Sequence, residues 1–455
     1  MNFAFYDLET TGISPAFDQP LQFAAILTDA HFREIERVDL RCRIAPHIIP
    51  SPWALAVTGL HPQQLVDPDL PNLFELSQSL SQLVSRWSPA IWTGFNSIRF
   101  DEEMLRQVFY QNLQANVFAT QFNGNTRFDI MTAVFAVWNR NPEIFDWPAD
   151  ETGRVRFNLD RLAPSNGFNG HNAHDALGDV EATIHIARAI AQRDPALWAE
   201  LLENRHKASI QAHLEGFQPM ELFGCFGAGP PRGLVGCFCG YSASNPNQAA
   251  FFDLEACDPA DLIDADEREL FNAVDGSTKI IRSVSINKSP PLLALSDPTD
   301  EQLRRARLIA EAPVFRERVA CALAARFPSD TEAPLPPIER QIFDGFYSYS
   351  DKALIGEFQK AEWPRRQEIV VELDDKRLRQ LGRRLVAFYA PSLLVEDERQ
   401  QFDDWLHKKW TGPDLPSTEW MTLGKARRAL DEMRKDANCN KVMIDEINQF
   451  LCQFD

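Results

Sequence analysis

The sequence predicts an α/β protein in three parts: an N-terminal α/β domain, a small β-rich domain and a C-terminal α-helical domain. Three observations predict it. Residues 1–190 alternate strand and helix signals, as an α/β domain should. Between about 216 and 300, Gly, Pro and Cys rise and short apolar runs such as GLVGCFCGYS and AAFFDLEAC lie between turn residues. From 341 onward nearly every segment reads as amphipathic helix. At 455 residues the chain is too long for one core, and the expected division is 1–192, 193–340 and 341–455, with the proline-rich TEAPLPPIE (331–339) as a connector.

The first element is a strand, MNFAFYDLE, apolar enough to be central with both faces covered. Alternation puts Asp7 and Glu9 on one face, with Tyr6 and Leu8 on the other. Two carboxylates at a strand's end are hard oxygen ligands for Mg²⁺ or Mn²⁺; read alone, the pair is more often an ordinary solvated pair on an exposed edge strand. Thr10, Thr11 and Gly12 end the strand. AIWTGFN then reads as a strand entering a loop. From Phe100 the pattern is helical, with Phe100, Met104, Leu105 and Val108 on one side and Asp101 at the start, where an acid is also an ordinary cap. In NGHNAHDALGDVEATIHIARAIAQ (169–192) a helix begins at Ala176, with Ala176, Val180, Ile184 and Ala187 on one face. Asp175 is expected as its N-cap, Asp179 lies one turn inside, and His174 stands on the lead before it.

Residues 193–215 read as helix and connection carrying Arg205, His206 and Lys207, and residues 301–328 as helical. In LDDKRLRQLGRRLVAFYAP, Leu378, Leu381, Leu385 and Phe388 form an apolar stripe, and Lys376, Arg379 and Arg383 lie elsewhere at helical spacing. Those cations suit either a solvated face or a phosphate track; HKKW (407–410) and GKARRALDEMRK (424–435) are weaker instances.

A net charge of −19 excludes a non-specific basic nucleic-acid binder. It leaves room for a nuclease, which needs acids at its metals and cations only along its track. No run approaches the ~18 apolar residues of a membrane span, and the N-terminus enters a strand at once, so neither membrane association nor a secretory leader is expected. Eight scattered cysteines, without zinc-finger spacing, read as reduced thiols of a cytoplasmic protein.

D-x-E-T-T-G, N-x-x-R-F-D and H-D-A-x-x-D, in that order, resemble the three motifs of the DEDD exonuclease superfamily in its histidine branch. NAHDALGDVEATI followed by RHK, then INKSPPLLAL (286–295) and FDGFYSYSDKALI (343–355), extends the resemblance nearly end to end, to bacterial exonuclease I, a family of single-strand-specific DNA exonucleases.

The resemblance implies a ribonuclease H-like exonuclease domain with a mixed central sheet, an SH3-like middle domain and a helical C-terminal domain that close over single-stranded DNA. It implies 3′→5′ hydrolysis with two Mg²⁺ ions, Mn²⁺ serving as a substitute. Asp7, Glu9, Asp101 and Asp179 are the implied metal ligands, and His174 the general base, with His171 assigned no chemistry. Glu9 and the Thr10 backbone N–H are expected at the terminal 3′-hydroxyl. At Asn158 relatives commonly carry a substrate-contacting arginine; asparagine can hydrogen-bond a phosphate but adds no charge, and Arg156 or Arg161 is expected to compensate. The implied partners are single-stranded DNA and the acidic, hydrophobic tail of single-strand DNA-binding protein, with Arg140 and middle-domain cations as docking candidates, on a monomer. Two other readings remain: an exonuclease of RNA or short oligonucleotides, and a non-catalytic nucleic-acid module.

Overall fold

The structure, a computed structural model, describes residues 1–170, 175–327, 335–413, 415 and 417–454. The first sheet has the order β3-β2-β1-β4-β5, from β1 (Phe3–Thr10), β2 (Pro20–Thr28), β3 (Glu34–Arg41), β4 (Ile91–Gly94) and β5 (Thr126–Asp129). Strands β1–β3 pair antiparallel, while β4 joins β1 and β5 joins β4 in parallel, so the sheet is mixed as expected. Strand β1 is central and covered on both faces. Its odd residues Phe3 and Phe5 enter one apolar cluster with Val180 and Ile184 of the helix Ala176–Arg193. Its even residues Ala4, Tyr6 and Leu8 enter another with Met104, Leu105 and Val108 of the helix Asp101–Gln111.

The middle of the chain forms a wholly antiparallel sheet, β10-β6-β7-β8-β9, from β6 (Met220–Gly224), β7 (Arg232–Tyr241), β8 (Gln248–Asp253), β9 (Ile281–Ser285) and β10 (Leu292–Ala294). Four strands meander and the fifth returns beside the first, the strand order of the SH3-like barrel that was expected. The region read as helix and connection is two helices, Pro195–Glu203 and Lys207–Glu215. From Tyr349 the chain is helical, and Leu378, Leu381 and Leu385 form the buried stripe of the helix Lys376–Tyr389. Among the described residues, no helix is long and apolar enough to cross a membrane.

The C-terminal helices share cores with the first 120 residues. Phe74, Tyr110 and Leu113 pack with Ile355, Phe358 and Leu381, and Leu21, Ile49 and Leu55 with Leu423, Ile444 and Ile447. Tyr110 Oη donates to the Ile338 carbonyl at 2.9 Å, and Gln107 Nε2 to that of Glu339 at 2.9 Å. Phe358, fully buried, meets Phe74 edge-on at 5.9 Å beneath the Arg366 guanidinium. Phe358→Ala therefore opens a cavity in this shared core and should lower stability by about 3–5 kcal/mol. The check is urea unfolding followed by far-ultraviolet circular dichroism.

Candidate active site

The site forms where β1 ends. The face of β1 that buries Phe3 and Phe5 presents Asp7 and Glu9 beyond them, and the helix Ala176–Arg193 starts over that end. Asp179, in its first turn, completes a group: one carboxylate oxygen each from Asp7, Glu9 and Asp179 lie within 4.8 Å of one another. Asp101 comes from the opposite layer, as the first residue of the helix Asp101–Gln111, and is 5% exposed. It stands outside that tight group, but its charge acts on both Asp7 and Glu9.

Local sequence explains the turn. Thr10 Oγ1 donates to the Gly12 carbonyl at 2.7 Å, and the buried Thr11 Oγ1 to Asp18 Oδ1 at 2.9 Å. A Cβ at Gly12 would lie 2.5 Å from the Asp18 carboxylate, so a larger residue here would have to displace the side chain that Thr11 holds. At the end of β4, a Cβ on Gly94 would stand 2.6 Å from the Tyr6 carbonyl. Only glycine lets β4 come this close to the β1 backbone just before the loop that leads to Asp101.

The electrostatics are those of crowded, desolvated acids. Burial raises Asp7 well above the carboxylate range, with Asp101, Asp179 and Glu9 adding repulsion. Burial, then Asp179, Asp101 and Asp175, push Glu9 up to about 8, against the opposing charge of Arg41. Asp101 rises to about 8, chiefly by burial; backbone N–H groups, including that of Leu8, oppose it. Carboxylates forced together like this are a donor set for hard divalent cations, which remove the repulsion.

Several expected residues stand differently. Asp175 occupies the N-cap position, but its side chain makes no capping bond; it accepts from Gln22 Nε2 at 3.0 Å. Asn158, exposed at the N-cap of the helix Leu159–Ser165, likewise makes none. Arg156 is paired with Asp150 at 2.5 Å, and Arg161 lies 3.9 Å from Asp160. His171 and His174 lie outside the described residues. Sequence reading missed Asp129, which is 3% exposed and accepts from the N–H groups of Asn96, Ile98 and Met131 at 2.9, 3.2 and 3.0 Å. An acid between a short strand and a helical run, FDIMTAV, is an N-cap signal that could have found it. It also missed Gln22 and Arg41, which reach the site only through strand register.

The raised acids make a stability prediction. Between the ordinary carboxylate range and about 8, the folded metal-free protein holds protons on Glu9 and Asp101 that the unfolded chain has released. Their contribution to stability therefore falls as pH rises through that window. A bound cation relieves the same repulsion. The upward shift of the melting temperature on adding Mg²⁺ should be larger at pH 8 than at pH 6, and Glu9→Gln should shrink that difference. Differential scanning calorimetry at both pH values reads it; equal shifts would contradict it.

Comparison with known proteins agrees with this geometry. Residues 4–187 match the family model described as Exonuclease, and residues 337–454 that of the Exonuclease I C-terminal domain. Exodeoxyribonuclease I of Escherichia coli is 29% identical over 430 residues, covering 90% of this chain and 89% of that protein. The crystal structure of E. coli exonuclease I in complex with a dA16 oligonucleotide superposes with a TM-score of 0.84 at 26% identity, covering 100% of both chains. A structure of SSB/exonuclease I in complex with the inhibitor CFAM gives 0.83 at 26% identity, covering 100% of this chain and 99% of that one. An exonuclease domain of this type works with divalent metal ions. With the mixed sheet, the acid cluster at its central strand and matches that span the chain, this protein is a homologue of exonuclease I along nearly its whole length.

Proposed function

We propose that this protein degrades single-stranded DNA from its 3′ end, releasing nucleoside 5′-monophosphates by metal-assisted hydrolysis in DNA repair and recombination. The observation that carries the proposal is the convergence of Asp7, Glu9 and Asp179 within 4.8 Å, in a chain whose curated relative is an exodeoxyribonuclease along 90% of its length. The oligonucleotide held by the E. coli structure supports single-stranded DNA as substrate. A reading as an RNA or short-oligonucleotide exonuclease leaves the middle sheet and C-terminal helices without a purpose.

In this reading two divalent ions, Mg²⁺ with Mn²⁺ as substitute, supply charge compensation at the phosphoryl oxygens and an activated water. Asp7 would hold both, Glu9 and Asp179 one, and Asp101 the other through water. Glu9 also accepts from the terminal 3′-hydroxyl, which makes the enzyme an exonuclease, and the Thr10 N–H and Asn158 serve as substrate contacts. His174 takes the proton from the attacking water; its role rests on the third motif alone. In this reading the enzyme is cytoplasmic, in keeping with its eight free cysteines, and works as a monomer, since a single chain carries all four acids. The tail of single-strand DNA-binding protein is the proposed protein partner, supported by the SSB/exonuclease I structure. Arg140 is a poor anchor for it: its guanidinium is paired with Glu221 at 2.5 Å and donates to the Ala294 carbonyl.

Cleavage of a 5′-labelled single strand should vanish in EDTA, return with Mg²⁺ or Mn²⁺, and be lost in folded Asp7→Ala. A 3′-phosphate should block or slow it, because Glu9 then meets an anion in place of a hydroxyl. Attack on closed circles, or robust cleavage by Asp7→Ala, would overturn the assignment.

His174→Ala should separate base from ligand. Its rate should fall by roughly 10²–10⁴-fold, with normal affinity for single strands and no rescue by added Mg²⁺. Asp179→Asn should instead raise the Mg²⁺ concentration needed for half-maximal rate. The wild-type rate should drop on the acid side near the usual histidine value of about 6.5. His171→Ala should stay close to wild type; a dead His171→Ala beside an active His174→Ala would move the base to His171.

A further inference from the structure

Arg41 ends the edge strand β3, outside every motif used so far. Strand register brings it to the site. Glu9 pairs with Gln22, and Gln22 with Arg41, so the three form one row across β1, β2 and β3 and share the face of the acid cluster. At the usual strand spacing the Arg41 backbone lies about 10 Å from that of Glu9. Its guanidinium leans toward the start of the helix Ala176–Arg193, with Nη2 3.7 Å from Asp175 Oδ1 and 3.8 Å from Asp39 Oδ2. Both are charge contacts beyond hydrogen-bond length, and the Arg41 side chain makes no hydrogen bond among the described residues. Gln22 takes the short contacts instead, donating to Asp39 at 2.9 Å and Asp175 at 3.0 Å. Arg41 thus keeps its donors uncommitted to any hydrogen bond, with its side chain 38% exposed at the edge of the sheet. Two arginines near Asp101 are committed elsewhere: Arg106 and Arg127 both bind the buried Glu102.

A polyanionic strand approaching Asp7, Glu9, Asp175 and Asp179 meets strong repulsion away from the metal positions themselves. A planar fork of free N–H donors at the rim matches a phosphate group. We infer that Arg41 is a substrate-binding residue of this active site, donating to a phosphate oxygen of the DNA strand beside the acid cluster. This rests on the reaction proposed above. The competing role is purely positional: Arg41 could hold Asp175, and through it the helix that carries Asp179.

The two roles differ in what they do to salt and metal dependence. The experiment measures kcat/KM on a 5′-labelled oligothymidylate across a salt series at saturating Mg²⁺, and the half-saturating Mg²⁺ at fixed salt. The proteins are wild type, Arg41→Met and Arg41→Lys. Arg41→Met should lower kcat/KM about 10- to 100-fold, mainly through KM, as loss of a charge-assisted bond would. It should also reduce the steepness of log kcat/KM against log salt by about 0.7, the share of one phosphate contact on a single strand. Arg41→Lys should restore that steepness while recovering only part of the rate. The half-saturating Mg²⁺ should not rise in either variant, since removing a cation cannot weaken cation binding by charge. A kcat/KM within twofold of wild type, an unchanged salt dependence, or a raised Mg²⁺ requirement in Arg41→Met would each overturn the inference. An inactive wild type would overturn the assigned reaction, and this inference with it, before any variant is compared.

Discussion

Repulsion among buried carboxylates is the constraint on which this structure depends. Glu9 is 8% exposed and Asp101 5% exposed, and each is pushed up to about 8 by burial and by its neighbours. Such a cluster opposes folding wherever its groups must ionise, and the rest of the fold offsets it. Strand β1 lies in the middle of its sheet, with apolar packing on both faces. Ladders on both sides fix its register, and a one-residue slip would turn Asp7 and Glu9 onto the opposite face. Packing energy gained along Phe3, Ala4, Phe5 and Tyr6 holds the acids where they would not settle unaided.

Much of this was legible in the sequence because the signals are local. Period-two alternation in MNFAFYDLE predicts one face for Asp7 and Glu9, and the helical periods after Phe100 and Ala176 predict the elements that carry Asp101 and Asp179. The apolar stripe at Leu378, Leu381 and Leu385 was equally plain. What escaped depends on which strands become neighbours. Arg41 and Gln22 meet the site only because β2 and β3 fold back on β1 in one register, a non-local fact that no window of sequence carries. Asp175 shows a related limit. Its position beside a helix start reads as a cap, but Gln22, more than 150 residues earlier, captures its oxygen.

The aim of Asp101 shows how far that non-local support extends. Its neighbour Glu102 is 1% exposed and bound by Arg106 at 2.6 Å and Arg127 at 2.7 Å. Consecutive helix residues point about 100° apart, so fixing Glu102 fixes the rotation of the helix and directs Asp101 at the end of β1. Removing one partner of a buried pair leaves an uncompensated charge, so the helix cannot rotate without breaking the network. Arg127 stands on β5 two residues before Asp129, whose carboxylate gathers the N–H groups of Asn96 and Ile98 in the loop leading to Asp101. One short strand therefore holds both the helix and the loop that enters it.

The same network reaches the other parts of the chain. Arg127 also donates to the Asn287 carbonyl, and Lys288 pairs with Glu103 at 3.1 Å, so the INKSPP segment braces the helix from the middle sheet. On its far side Gln107 and Tyr110 are bonded to residues 338–339. Glu339 is itself held by Arg384 at 2.8 Å and Lys409 at 3.6 Å from the C-terminal helices. The helix that supplies Asp101 is thus contacted by all three parts of the chain. Ion pairs and hydrogen bonds tie the helix that supplies a carboxylate of the acid cluster to both the middle sheet and the C-terminal helices.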